Sequence, residues 1–206
     1  VGRLPVALDF LYEVVDVMSA YKMNLFVWHL TDYHGWRLES KRHPELQRRD
    51  TFLRQIGKFY TQGDFRGIVA YAKERGITVI PELDVPGHTL AFRKAMGVKT
   101  MCEPKVNGIF ADLLDELCML ADVETMPFVH LGTDEVRNPE EKCPDEWVNG
   151  WARRLNANGR KVVVWAPGIK LDKDVDVVEM AWHDNRITNT VNSVIDCARM
   201  YFGSWD

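Results

Sequence analysis

The sequence predicts an α/β fold, an incomplete (β/α)8 or TIM barrel that is irregular around strands five to seven and lacks its final strand. Three observations predict it. Short apolar runs alternate with longer amphipathic stretches along the 206 residues, polar and aromatic residues cluster just after one run after another, and no glycine-rich phosphate turn follows any of the runs. Strand–helix alternation of this kind builds a parallel sheet. In a closed barrel the C-terminal ends of all strands share one mouth, whereas an open doubly wound sheet spreads them along a line. Residues 1–206 are read as a single, partial domain.

The strand candidates are Leu25–His29, Ile77–Pro81, Phe128–Leu131, Val162–Trp165, Val175–Met180 and a weaker Ser193–Ile195, with a remnant at Val1–Leu4. Most are nearly continuous in apolar character, as strands covered on both faces are. Helical spacing joins Leu8, Leu11, Tyr12, Val15 and Met18. It recurs over Phe65, Ile68, Val69 and Ala72, ending at Arg75-Gly76, and over Ile109, Leu113, Leu114, Leu117 and Leu120. A fourth helix over Trp147, Trp151, Arg154 and Leu155 ends near Asn158-Gly159. The segments after Val162–Trp165 and Val175–Met180 are too short for full crossover helices. A complete barrel takes about 250 residues. The chain opens mid-pattern at Val1 and stops at Asp206, so it reads as a fragment.

Hydrophobic residues make up 46% and charged residues 27%, an ordinary globular composition. The net charge of −4 is small and mixed, which argues against nucleic-acid partners. No apolar run reaches the roughly 18 residues of a membrane span. Cys102, Cys118, Cys143 and Cys197 form no CxxC pair, so a zinc site is not expected; they read as buried fillers, with disulfides undecided.

The most informative segment is Val129-His130-Leu131-Gly132-Thr133-Asp134-Glu135, a strand running into two adjacent acids. Because side chains alternate along a strand, both acids face one cavity only if the backbone bends, and Gly132 permits the bend. Of two close carboxylates one keeps its proton to higher pH and becomes a usable general acid. The competing reading is an acidic cap on a following helix. Asp32 and His88 follow the first two clear strands, in Trp28-His29-Leu30-Thr31-Asp32 and Pro81-Glu82-Leu83-Asp84-Val85-Pro86-Gly87-His88. As a dyad they can tune a neighbouring acid; as separate residues they are a cap and a turn. Trp165 and Trp182 end successive strands and suit the C–H face of a sugar, or else core packing. Arg3, where a first strand should end, can fork onto two hydroxyls, or is a surface arginine.

Together these motifs, in this order and across essentially the whole chain, resemble the family-20 glycoside hydrolases, the β-N-acetylhexosaminidases. The matching segments are Val1-Gly2-Arg3, Tyr21-Lys22-Met23-Asn24 with Trp28–Asp32 and Gly35–Glu39, Pro81–His88, and His130–Val136 with Thr133 where glycine is commoner. The resemblance implies hydrolysis of terminal β-linked N-acetylhexosamine with retention, the substrate's own 2-acetamido oxygen attacking the anomeric carbon. Glu135 is then the general acid and base, Asp134 orients the acetamido group, and Asp32 with His88 tunes Glu135. Trp165 and Trp182 wall the acetamido pocket, Tyr201 donates to its oxygen, and Arg3 grips the outer hydroxyls. No cofactor or metal is implied, the partner is a carbohydrate, and a secreted, periplasmic or lysosome-like location fits.

Gly203 stands where the family's Tyr-x-Asp pattern carries its aspartate, which puts recognition of the outer hydroxyls in question. Three rival readings are a glycan-binding barrel without turnover, a conventional retaining glycosidase with a nucleophile such as Glu82, and a metal-dependent hydrolase using His29, Asp32, His88 and Asp134.

Overall fold

A computed structural model describes residues 2–182 and 192–197. Helix α1 (Leu8–Ala20) leads into β1 (Leu25–His29), followed by a short antiparallel pair, β2 (Thr31–Asp32) and β3 (Gly35–Trp36). Helix α2 (Gln62–Glu74) precedes β4 (Thr78–Val85), α3 (Leu90–Met96) and α4 (Pro104–Cys118) precede β5 (Phe128–Gly132), and α5 (Asp145–Ala157) precedes β6 (Lys161–Ala166). Strands β7 (Val177–Ala181) and β8 (Ser193–Asp196) follow. Strands β1, β4, β5, β6, β7 and β8 pair in that order, every pair parallel, in one sheet curled into part of a barrel wall. The six expected strands are these six. No helix occupies residues 167–176, between β6 and β7, the irregularity expected there.

The two-residue period of the strands divides the side chains between two cores. Trp28, Val79, Leu83, Val129, Leu131, Val162 and Val164 face outward into a large core shared with Leu11, Val15, Phe65, Ile68, Leu113, Leu117 and Leu155 of the helices. Val27, Ile80, Phe128, Val163, Val178 and Met180 face inward and form a small apolar core inside the barrel. The same inward register carries His29, Glu82, Asp84, His130 and Trp165 above that core, toward the strand C-termini. Alternation thus supplies both an apolar floor and a polar mouth.

The helix ends fall where their punctuation places them. Thr61 and Asp64 form a reciprocal capping box on α2, and Gly76 and Gly159 take positive φ just beyond α2 and α5. Two departures from expectation stand out. Residues 2–4 form no strand, contrary to the Val1–Leu4 remnant. The reason is a long-range contact: the Gly2 carbonyl accepts from the Arg37 guanidinium at 3.0 Å rather than from a strand ladder. Helix α3 and the β2–β3 pair were not anticipated, because seven and two residues are too few to show a period.

Arg37 is fully buried, and among the described residues no carboxylate is hydrogen-bonded to it. It donates to the carbonyls of Gly2, His34, Arg54, Gln55 and Lys58 at 2.8–3.4 Å, and burial pushes its pKa down to about 10. One side chain thereby rivets the segment carrying Arg3 to the loop at 54–58. Arg37→Met is expected to destabilise the protein by about 1–3 kcal/mol, because the buried Gly2 carbonyl and four part-buried ones lose their donor. Urea denaturation of the full-length variant measures this; a change below about 1 kcal/mol would show that Arg37 only fills space.

Candidate active site

The bend expected at Gly132 is present. Gly132, Thr133 and Glu135 have φ of 68°, 83° and 48°, so the chain leaves β5 through left-handed backbone and turns both acids toward the barrel mouth. A Cβ at Gly132 would collide with the Asp84 carboxylate, which leaves glycine as the residue that fits. Thr133 and Glu135 hold φ values that cost non-glycine residues about 1–3 kcal/mol each, as does His88 at φ 54°. Three of the five non-glycine residues with positive φ among the described residues thus fall on the two motifs, Lys22 and Gln55 being the others. Gly87 has its own reason: a side chain there would press within 2.9 Å of the Asp134 carbonyl.

Four of the expected site residues, Arg3, Asp32, His88 and Glu135, line one open cleft of about 600 Å³, with Tyr33 and Arg137 on its rim. That volume lies within the range of small-molecule sites. The Arg3 guanidinium donates to Asp32 Oδ2 at 2.8 Å. His88 stands between two acids, its Nδ1 3.6 Å from Asp32 Oδ1 and its Nε2 3.4 Å from Glu135 Oε2. The exposed Arg137 pairs with the other Glu135 oxygen. Asp134 lies deeper; its Oδ1 is buried without a hydrogen-bond partner among the described residues. Burial, with Glu82 and Glu135 adding negative charge, raises the Asp134 pKa against the pull of His88.

Trp165 and Trp182 stand at the ends of β6 and β7 and are not part of the lining of that cleft. The Trp165 indole donates to Glu82 Oε1 at 2.7 Å and packs 4.9 Å from the His130 ring. The Trp182 indole donates to the Pro167 carbonyl at 3.1 Å. Tyr201 and Gly203 lie outside the described residues.

Behind the cleft runs a buried polar chain that sequence reasoning did not assemble. Trp165 bonds Glu82, whose Oε2 meets His29 Nδ1 at 2.9 Å, and His29 Nε2 meets Asp32 Oδ2 at 2.8 Å. Burial alone would discharge His29, yet Glu82 and Asp32 outweigh it and raise its pKa to about 10. Burial likewise opposes charge on His88, but Asp32, Asp84 and Asp134 raise it to about 9. Asp32 and Glu82 would be raised by burial; their histidine partners instead hold both below the usual carboxylate range. Asp84, fully buried beside Glu82, is pushed well above that range. His130 is kept neutral by burial, near 4, and its Nδ1 accepts from the Gly132 N–H at 2.8 Å. Only part of the signal was in the sequence: Glu82 and Asp84 share parity along β4.

These charges set the pH dependence of stability. The histidine contribution is complete below the unfolded value of about 6.5 and is lost as pH rises through about 9 and 10. Asp84 and Asp134, raised, act with the same sign, whereas His130, held near 4, acts with the opposite one, its contribution being present above about 6.5 and lost as pH falls through about 4. The contribution of Asp32 and Glu82, depressed, is present above about pH 4 and lost as pH falls through their folded values. The urea midpoint is therefore expected to peak near pH 5–6. A midpoint climbing steadily from pH 6 to 9 would contradict this charge pattern.

Atoms of His29, Glu82 and Asp84, and of Asp84, His88 and Asp134, lie close enough to hold an ion. Both His29 nitrogens already face carboxylates, and both histidines are raised into their doubly protonated form, which has no lone pair for a metal.

A parallel barrel wall whose strand ends gather acids and imidazoles around one cleft is an architecture the chain shares with solved glycosidase structures. The chain superposes on a β-N-acetylhexosaminidase of Bacteroides fragilis with a TM-score of 0.75 at 30% identity, covering 88% of this chain and 43% of that one. For an exo-β-N-acetylglucosaminidase of Vibrio harveyi, solved with N-acetylglucosamine, the TM-score is 0.78 at 27% identity, covering 89% and 37%. Residues 1–105, half of the chain, match the model of glycosyl hydrolase family 20, catalytic domain, and the chain belongs to this family. Among relatives, the β-hexosaminidase of Vibrio furnissii is 29% identical over 92% of this chain and 39% of its own length. The β subunit of human β-hexosaminidase is 32% identical over 68% and 26%. The chain thus spans well under half the length of these relatives.

Proposed function

We propose that the full-length protein is an exo-acting β-N-acetylhexosaminidase that hydrolyses terminal N-acetylhexosamine from glycans with retention, by substrate-assisted catalysis. The observation that carries this is the pairing at the end of β5: Glu135 on the cleft wall with His88 beside it, and Asp134 behind with a buried, unpartnered oxygen. A carboxylate oxygen buried without a donor is costly, and the amide N–H of a 2-acetamido group is the donor such a site lacks. Asp134 then orients that group so that its carbonyl oxygen reaches the anomeric carbon. Glu135 gives its proton to the leaving oxygen and afterwards takes one from water. Asp32 and His88 hold Glu135 in place and set the charge around it, and Arg3 offers its guanidinium to the sugar's outer hydroxyls. Trp165, held by Glu82, and Trp182 with Tyr201 supply the walls of the acetamido pocket.

Family membership, the intact acid pair and the fit of the cleft favour an enzyme over a glycan-binding barrel. Glu82, bonded on both oxygens and closed off behind the cleft, is poorly placed as a conventional nucleophile. The test is hydrolysis of p-nitrophenyl N-acetyl-β-glucosaminide by the full-length protein, with p-nitrophenyl β-glucoside and added chelator as controls. Turnover of the first alone, insensitive to chelator, is expected. Binding without turnover, equal turnover of both, or loss with chelator would each point to a different rival.

A further inference from the structure

The two tryptophans that wall the proposed acetamido pocket hang on one short segment, residues 165–169, at the end of β6 and the start of its connection to β7. The Trp165 indole is fixed by Glu82 at 2.7 Å. The Trp182 indole donates to the Pro167 carbonyl at 3.1 Å, and the Trp182 backbone N–H donates to the Ala166 carbonyl at 3.0 Å. The segment therefore sets where Trp182 stands, and Thr133 ties the segment to the end of β5. The Thr133 carbonyl accepts from the Ile169 N–H at 3.0 Å, and the Thr133 hydroxyl donates to the Trp165 carbonyl at 3.4 Å. Gly168 passes so close that an added Cβ would stand 2.8 Å from the Thr133 hydroxyl and 2.9 Å from its carbonyl, and would collide with the Trp165 carbonyl. Thr133 is only 1% exposed, so its side chain acts as a spacer behind the wall rather than as a ligand contact.

We propose that Thr133 is a specificity-determining residue: through segment 165–169 it fixes the size of the acyl pocket, so that the site takes an acetyl group and turns away longer N-acyl groups. The inference rests on the reading of Asp134, Trp165 and Trp182 as the acetamido site. Thr133 directly precedes Asp134, so a single step of chain links the group that holds the amide N–H to the spacer behind the wall. The bond from Ile169 goes to a backbone carbonyl and survives any substitution. The hydroxyl and methyl group are what a glycine would lack, and a β-branched residue is kept here at φ 83° although glycine would be unstrained. Without them the segment is free to shift, and Trp182 is no longer held at one distance from Asp134. A loose wall admits a longer acyl chain and grips an acetyl group less. With a fixed wall, one methylene more or less in an apolar pocket changes preference by about 10–200-fold.

The experiment measures, by calorimetry on the full-length protein, the affinity of two glucosamine-derived thiazolines, one carrying the methyl group of an acetyl and one the propyl group of a butanoyl. The kcat and KM of the matching p-nitrophenyl N-acyl-β-glucosaminides are read beside it. The wild type is expected to bind the methyl ligand at least about tenfold more tightly. Thr133→Gly is expected to lose most of that preference and to raise KM for the N-acetyl substrate with a smaller change in kcat. Thr133→Ser keeps the hydroxyl and is expected to restore the preference. If Thr133→Gly does not fold, Thr133→Ala makes the same comparison. An unchanged preference in the variant that lacks the hydroxyl, or an equal loss of affinity for both ligands, would overturn the proposal. A wild type that shows the preference in binding but hydrolyses neither glycoside would refute the enzymatic reading alone, and the variants then still decide the role of Thr133. A wild type that binds neither thiazoline would overturn both.

Discussion

Glu135→Gln in the full-length protein is expected to lower kcat/KM for an unactivated glycoside by about 10²–10⁴-fold, the usual contribution of a positioned general acid. Glutamine keeps the volume and one accepting oxygen, so the cleft and its neighbours stay in place while the transferable proton is lost. The loss is expected to be smaller for a p-nitrophenyl glycoside, whose leaving group needs little protonation. Affinity for the sugar should change little, because Arg3 and the Asp134 carboxylate remain. Equal losses on both substrates would instead mean that Glu135 serves binding or folding. Retention of full activity on the unactivated glycoside would remove Glu135 from the mechanism.

Gly132→Ala is expected to have the largest effect on the fold. Alanine at φ 68° meets the left-handed penalty, and its methyl group runs into the Asp84 carboxylate, a fully buried group with no room to retreat. The combined cost is at least about 3 kcal/mol, a large share of a domain's total stability. Little soluble protein is expected. Two comparisons isolate the cause. Gly108→Ala lies inside α4, where an added Cβ meets nothing within 4 Å, and is expected to stabilise by about 0.5–1 kcal/mol. Thr133→Gly relieves a β-branched residue at φ 83° but gives up a hydroxyl bond to the Trp165 carbonyl at 3.4 Å, and should fall within about 1 kcal/mol of the parent. If Gly132→Ala folded as well as Gly108→Ala, the bend after β5 would not depend on glycine.

The strands and the site differed in how much of each the sequence disclosed. Strands covered on both faces announce themselves as continuous apolar runs, so β1, β5 and β6 were legible to within a residue. Helix α3 and the β2–β3 pair were hidden because elements of that length carry no period and owe their form to packing, as Trp36 against Phe92 at 5.6 Å shows. The Val1–Leu4 remnant failed because the Gly2 carbonyl that a ladder would use belongs to Arg37, a contact 35 residues distant and invisible to local pattern. Asp32, His88, Asp134 and Glu135 could be read because motifs carry them. The Trp165–Glu82–His29 chain could not, since it joins three strands whose neighbour relations emerge only once the sheet is built. Alternation along β4 did place Glu82 and Asp84 on one face; what it lacked was any sign of which face looked into the mouth.

Attack of the substrate's own acetamido oxygen on the anomeric carbon can be probed by weakening that oxygen. A series of p-nitrophenyl β-glucosaminides bearing N-acetyl, N-fluoroacetyl, N-difluoroacetyl and N-trifluoroacetyl groups keeps the leaving group constant while draining electron density from the amide. The kcat/KM of the full-length protein is expected to fall steeply and monotonically along the series. A flat response would mean that an enzymic group, not the sugar's amide, makes the bond to the anomeric carbon.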